Sequence, residues 1–66
     1  MKNTIRIERA ILNITQAHLA EKVKVSRQTI NAIKSNKYVP STVLALKISR
    51  VFQKNLEAIF ILEDTD

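Results

Sequence analysis

Apolar residues recur along this chain at helical spacing. Between Gln16 and Val23, Leu19, Ala20 and Val23 share one face, and over residues 27–35 the apolar stripe is Ile30 and Ile33. Thr15 and Ser26 stand just before these runs as N-caps, because a hydroxyl oxygen accepts from the free amides of a first helical turn. Val25 is placed to pack on Ile30 as a hydrophobic staple. Upstream, Ile5, Ile7, Ala10, Ile11 and Leu12 predict a helix over residues 4–12 with Asn3 as its cap. Ile5, Leu12 and one of Ile7 and Ile11 are its expected core residues. Residues 2–4 also read as a short extended arm. Downstream, Pro40 keeps Val39 extended and stops the third helix.

Ser41 then caps a helix over residues 42–52 that is apolar nearly all round, with Val43, Leu44, Ala45, Leu46, Ile48, Val51 and Phe52. Such a helix should be buried nearly all round, partly against a partner. Asn55 caps a last short helix over residues 56–60, and Ile61 and Leu62 extend the apolar run IFIL. The tail from Glu63 is expected to be mobile. The pattern is all-α with five helices.

Two short capped helices with a tight link read as a helix-turn-helix over residues 15–35. On the polar side of the second helix, Arg27, Asn31 and Lys34 are spaced i, i+4, i+7 and share a face, with Gln28 beside them. Arg offers a fork to guanine, and Gln or Asn can both donate to and accept from adenine. The bland alternative is an ordinary solvated face.

The segment resembles the Cro and phage-repressor-like helix-turn-helix family, often called Xre. The matching residues are Thr15-Gln16, Leu19-Ala20, Val23, the run Val25-Ser26-Arg27-Gln28-Thr29-Ile30, Ile33, Lys37-Tyr38 and Pro40-Ser41. The resemblance implies a compact five-helix, lambda-repressor-like DNA-binding domain that acts as a dimer in transcription and performs no catalysis; in some short relatives the C-terminal segment forms a strand that pairs with the N-terminal arm, which Ile61 and Leu62 could do here against Ile5 or Asn3 and Thr4. It places Arg27, Gln28 and Asn31 against bases. It places Gln16, Ser26, Thr29, Lys34, Lys37 and Tyr38 along the DNA backbone. Phosphate contacts of that kind fix position, while base contacts choose sequence. Tyr38 reads equally as a ring capping the core.

The departures are specific. Relatives usually carry glycine where this chain has Asn13, Lys24, Asn36 and Gln53, and the chain has no glycine at all. Asn tolerates the left-handed conformation, whereas Lys24 and Gln53 would cost about 1 kcal/mol each there. Relatives often pair a Glu at the position of Lys34 with an Arg matching Arg9. Two cations cannot form that ion pair.

Charge supports a polyanionic partner. Of 66 residues, 11 are Lys or Arg and six are Asp or Glu, for a net charge of +5. Four of the six acids fall after residue 50, so the first fifty residues are the more basic part. There is no cysteine and one histidine, His18, so neither a disulfide nor a metal site is expected. The N-terminus has charges within its apolar stretch and does not read as a signal peptide. No apolar run of about 20 residues is present, so a cytoplasmic protein without membrane contact is expected. Glu8 and Glu21 lie on different helices and make no acid pair. No cofactor and no small-molecule ligand is implied.

A chain this short buries only about 60% of its unfolded surface, so association is a natural remedy. The expected homodimer seam comprises Leu44, Val51, Phe52, Leu56, Ile59, Phe60 and Leu62, with residues 55–62 central. The resulting expectation is one domain over residues 1–66, a regulator and repressor that binds double-stranded DNA at an inverted repeat. The alternative is a protein-interaction module, an antitoxin or antirepressor, gripping its target with IFIL and the fourth helix.

Overall fold

The computed structural model describes residues 1–66. In chain order the elements are β1 (Lys2–Asn3), α1 (Ile5–Leu12), α2 (Gln16–Val23), α3 (Arg27–Lys34), α4 (Thr42–Phe52), α5 (Leu56–Ile59) and β2 (Phe60–Ile61). The two strands pair antiparallel, Lys2 opposite Ile61 and Asn3 opposite Phe60. The N-terminal arm is therefore extended, and the Thr4 amide continues the ladder to the Ile59 carbonyl at 2.9 Å.

The core is rich in isoleucine: Ile5, Ile30, Ile33, Ile48 and Ile59 are all shut off from water, as are Leu19 and Val23. Burying each such side chain contributes roughly 1.5–3 kcal/mol. In α4 the buried set is Leu44, Ala45, Ile48 and Phe52, one helical stripe, while Val43 and Leu46 are exposed. This helix is therefore amphipathic in place, not buried all round. Thr15, Ser26 and Ser41 each accept the expected first-turn amide, from His18, Thr29 and Leu44. Asn55 makes no such side-chain bond.

The first helix departs most from expectation. Ile7 is 59% exposed, Ile11 65% and Leu12 46%, while Glu8 is only 6% exposed. Glu8 sits one turn after Ile5 on the inward face, where its carboxylate accepts from Lys54 Nζ at 2.9 Å. Thr4 rather than Asn3 precedes the helix, although the Asn3 side-chain oxygen accepts from the Ile5 amide at 3.2 Å.

The tail makes contacts of its own. Glu63 N–H donates to Asp66 at 2.8 Å, and the Met1 ammonium lies 3.3 Å from Glu63 and 3.0 Å from Asp66. The Glu63 amide, and then the ammonium, hold the Asp66 carboxyl below the usual carboxylate range. The hydrogen bond to Asp66, followed by that to Glu63, raises the ammonium above its ordinary value against some desolvation.

Helices α1 to α4 are all followed by the same closure. Asn13, Lys24, Asn36 and Gln53 take φ of 56°, 61°, 62° and 54°. At each, the left-handed residue donates to the carbonyl three before it, and the next residue donates to the carbonyl five before itself: Asn13 to Ala10 and Ile14 to Arg9, Lys24 to Glu21 and Val25 to Ala20, Asn36 to Ile33 and Lys37 to Ala32, Gln53 to Arg50 and Lys54 to Ser49. These are Schellman motifs built without glycine. The links between helices stay short because the chain accepts four left-handed residues bearing side chains.

Lys24→Gly should raise the unfolding free energy by about 0.5–1 kcal/mol once glycine's greater freedom in the unfolded chain is subtracted. Asn13→Gly should gain less. Urea midpoints at constant m-value measure both, and a lower midpoint for Lys24→Gly would contradict the account. Lys54→Met strands a buried carboxylate and should cost about 1–3 kcal/mol, between the exposed and fully buried cases. Adding Glu8→Leu should recover most of that loss, and equal midpoints for all three proteins would remove the pair from the account.

Candidate nucleic-acid interface

The interface is built outward from the buried side of α3. Ile30 and Ile33 are inside, with 0% and 1% exposure. Residues off that stripe must face away, and Arg27, Gln28 and Asn31 are all exposed. The Ser26 cap fixes the start of the helix, its hydroxyl accepting from Thr29 N–H at 3.1 Å and lying 3.0 Å from the Thr29 hydroxyl. Those two hydroxyls are thus partnered with each other, and Thr29 is half-buried.

The other end of α3 is held from a distance. The Asn3 amide donates to the Ile33 carbonyl at 2.8 Å and to the Asn36 side-chain oxygen at 3.1 Å. The N-terminal arm therefore anchors the turn that leads to Lys37 and Tyr38, both exposed, with Tyr38 at 49%. Between the two motif helices, Gln16 Nε2 donates to Asn31 Oδ1 at 3.4 Å. That long bond links the start of α2 to the middle of the exposed α3 face.

The face is cationic and free of acids. Arg9, Gln16, Arg27 and Lys34 line one open hollow with the start of α2, and no carboxylate lines it. Arg9 donates from Nη1 to the Ile14 carbonyl at 3.2 Å, and its buried Nε has no partner. The structure thus brings Gln16, Arg27, Asn31 and Lys34 together, keeps Gln28 beside Arg27 on the same open face, and sets Lys37 and Tyr38 in the loop beyond. Two residues were missed. Asn3 acts across 30 residues of sequence, which no local pattern reveals. Arg9 had a signal, since it faces a lysine where relatives offer an acid.

The residues expected at a dimer seam divide differently. Leu44, Phe52, Ile59 and Phe60 lie in the chain's own core, at 8%, 6%, 0% and 7% exposure. Ile59 and Phe60 turn inward because β2 begins at Phe60 and pairs with the arm. Only Val51 and Leu56, half-buried, and Leu62, 77% exposed, keep surface for a second copy. Leu56 borders a shallow apolar hollow with Val39, Pro40 and Ala45. No group of three or more His, Cys, Asp or Glu side chains is placed to hold a metal, and no helix is long and apolar enough to cross a membrane.

Comparison with known proteins agrees with this geometry. The helix-turn-helix family profile matches residues 5–59. The chain is 52% identical to an uncharacterized HTH-type transcriptional regulator of Methanocaldococcus jannaschii, over the full length of both. It is 45% identical over 64 residues, 97% of each chain, to YgzD, an uncharacterized HTH-type transcriptional regulator of Bacillus subtilis. A protein of the same description from Archaeoglobus fulgidus is 46% identical over 66 residues, all of this chain and 94% of its own. With an exposed α3 face on a buried isoleucine stripe and this similarity along its whole length, the chain belongs to the Xre-type helix-turn-helix family of transcriptional regulators, a DNA-binding and not an enzyme family.

Proposed function

We propose that this regulator is a repressor that reads a specific operator as a homodimer from the cytoplasm. The observation that carries the reading is the exposed row Arg27, Gln28 and Asn31 on a helix pinned from behind by Ile30 and Ile33. Placed in the major groove, Arg27 and Gln28 at the N-terminal end of α3 meet base edges first. Asn31, oriented by Gln16, follows one turn on. Gln16, Lys34, Lys37 and Tyr38 flank the row and hold the phosphates, with the Ser26 and Thr29 hydroxyls at the helix start. Occupancy represses where the operator overlaps a promoter, because the bound protein then excludes polymerase.

The domain is a single unit over residues 1–66. Its two-fold seam is formed by Val51, Leu56, Leu62 and the apolar hollow beside Leu56. Two copies would set their α3 helices about 34 Å apart, matching an inverted repeat. The interaction-module reading draws less support, because Ile59 and Phe60, half of its IFIL grip, lie in the core.

Gln28→Ala should weaken operator binding by about 1–3 kcal/mol and relax choice at one base position. Lys37→Ala should weaken all duplexes alike and flatten the logarithmic salt slope by about one. Titration against a selected operator and a scrambled duplex checks both, and two variants that bind like the parent would move the reading face elsewhere. For the seam, Leu56→Glu should yield folded monomers in sedimentation, with an unchanged helical signal. A dimer that survives it places the seam on another surface. Phe60 does not serve this test, because its truncation would open the core.

A further inference from the structure

The side chain of Asn3 joins two parts of the chain that are far apart in sequence. Its nitrogen donates to the Ile33 carbonyl at 2.8 Å and to the Asn36 side-chain oxygen at 3.1 Å, and its oxygen accepts from the Ile5 amide at 3.2 Å. Both amide hydrogens and the oxygen are thus engaged, a set that no shorter or purely accepting side chain supplies. Ile33 and Asn36 bound the closure after α3. The Asn36 amide donates to that same Ile33 carbonyl at 3.0 Å, and Asn36 is left-handed at φ 62°. Lys37 and Tyr38 leave the turn directly after it, both exposed.

Asn3 is itself held. It pairs with Phe60 across the two strands, the Thr4 amide donates to the Ile59 carbonyl at 2.9 Å, and the Thr4 hydroxyl donates to the Ala58 carbonyl at 3.3 Å. A contact residue is placed more closely when its support has locked partners of its own. We propose that Asn3 is a positioning residue for DNA binding, acting through the turn and not on the duplex: it sets the direction in which Lys37 and Tyr38 leave α3. The inference rests on the reading of Lys37 and Tyr38 as phosphate contacts. Phosphate contacts carry no sequence choice, so Asn3 governs affinity for every duplex and leaves base preference to α3.

The full chain is titrated against an operator selected from random duplexes and against a scrambled duplex. The proteins are wild type, Asn3→Ser, a loop variant carrying Lys37→Ala and Tyr38→Phe, Gln28→Ala, and Asn3→Ser added to each of the last two. Serine keeps a hydroxyl acceptor for the Ile5 amide and lacks the paired donor. Asn3→Ser should keep the helical signal, weaken both duplexes alike by about 3–10-fold, and flatten the salt slope toward that of the loop variant. Added to the loop variant it should have no further effect, and added to Gln28→Ala it should have its full effect. A merely structural role would behave otherwise, since a loss of folded protein weakens binding equally in every background and leaves the slope alone.

Two results overturn the role of Asn3 and leave the phosphate reading intact. In one, Asn3→Ser binds like wild type while the loop variant is weakened. In the other, Asn3→Ser weakens the loop variant as much as it weakens wild type. A loop variant that itself binds like wild type removes the phosphate reading, and the role of Asn3 with it. If Asn3→Ser fails to fold, Asn36→Gly decides in the same cycle. Glycine keeps the left-handed turn and removes only the acceptor. Its unfolding midpoint should then stay level or rise while its affinity drops about twofold, and an unchanged affinity would overturn the proposal.

Discussion

The interface depends on keeping Ile30 and Ile33 out of water. Helix α3 has eight residues, too few to persist in isolation, where nucleation costs more than so few hydrogen bonds return. Its conformation is imposed by tertiary contact. The two isoleucines lie in the common core, where α3 packs against α2, Ser26 closes one end, and the Asn36 turn, tied to Asn3, closes the other. Because that side is fixed, the orientation of Arg27, Gln28 and Asn31 is fixed as well. A polar row carried on a rigid stripe loses little conformational entropy when it meets a partner, which is what a base-reading surface needs.

The same economy of length has a cost elsewhere. Four successive helices close through left-handed residues that carry side chains, two of them Lys24 and Gln53, which lack the local hydrogen bonding that helps Asn in that conformation. A domain of this size has little core with which to offset strain. Its cationic surface adds self-repulsion. Binding to a polyanion stabilises the native state by an amount that grows with the logarithm of ligand concentration over Kd, so a marginal free protein and a firm bound one are compatible.

Much of this was legible in the chain because it is local. A hydroxyl before an amphipathic run marks a cap, and Thr15, Ser26 and Ser41 all act as such. The left-handed sites were legible at Asn13, Lys24, Asn36 and Gln53 by the glycine that relatives place there. The first helix was not. Ile5 was expected inside and is, but Leu12 and one of Ile7 and Ile11 were expected beside it, and Glu8 takes that place instead. The choice is made by Lys54, 46 residues away, which supplies a cation to the inward carboxylate. The IFIL run defeats periodicity for a different reason. The chain passes from helix to strand within it, so Ile59 and Phe60 face inward and Ile61 and Leu62 outward, with no repeat to mark the change. The placement of the candidate site needed one long-range fact as well, the arm residue Asn3 beneath the α3 turn.

The distribution of ion pairs completes the electrostatic picture. Glu8 meets Lys54, and Glu63 and Asp66 meet the terminal ammonium. None of these pairs involves a residue of α2 or α3, and Arg9, Arg27, Lys34 and Lys37 are left without a carboxylate. In solution such a surface gathers counterions, and a duplex that displaces them gains their release as free energy independent of sequence. Lys34 sharpens the effect, because an acid at that position would have neutralised Arg9 internally. The fold therefore separates residue types: amides and one guanidinium lie exposed on α3, with cations that have no carboxylate partner around them, which is the division of labour that the proposed base-reading face requires.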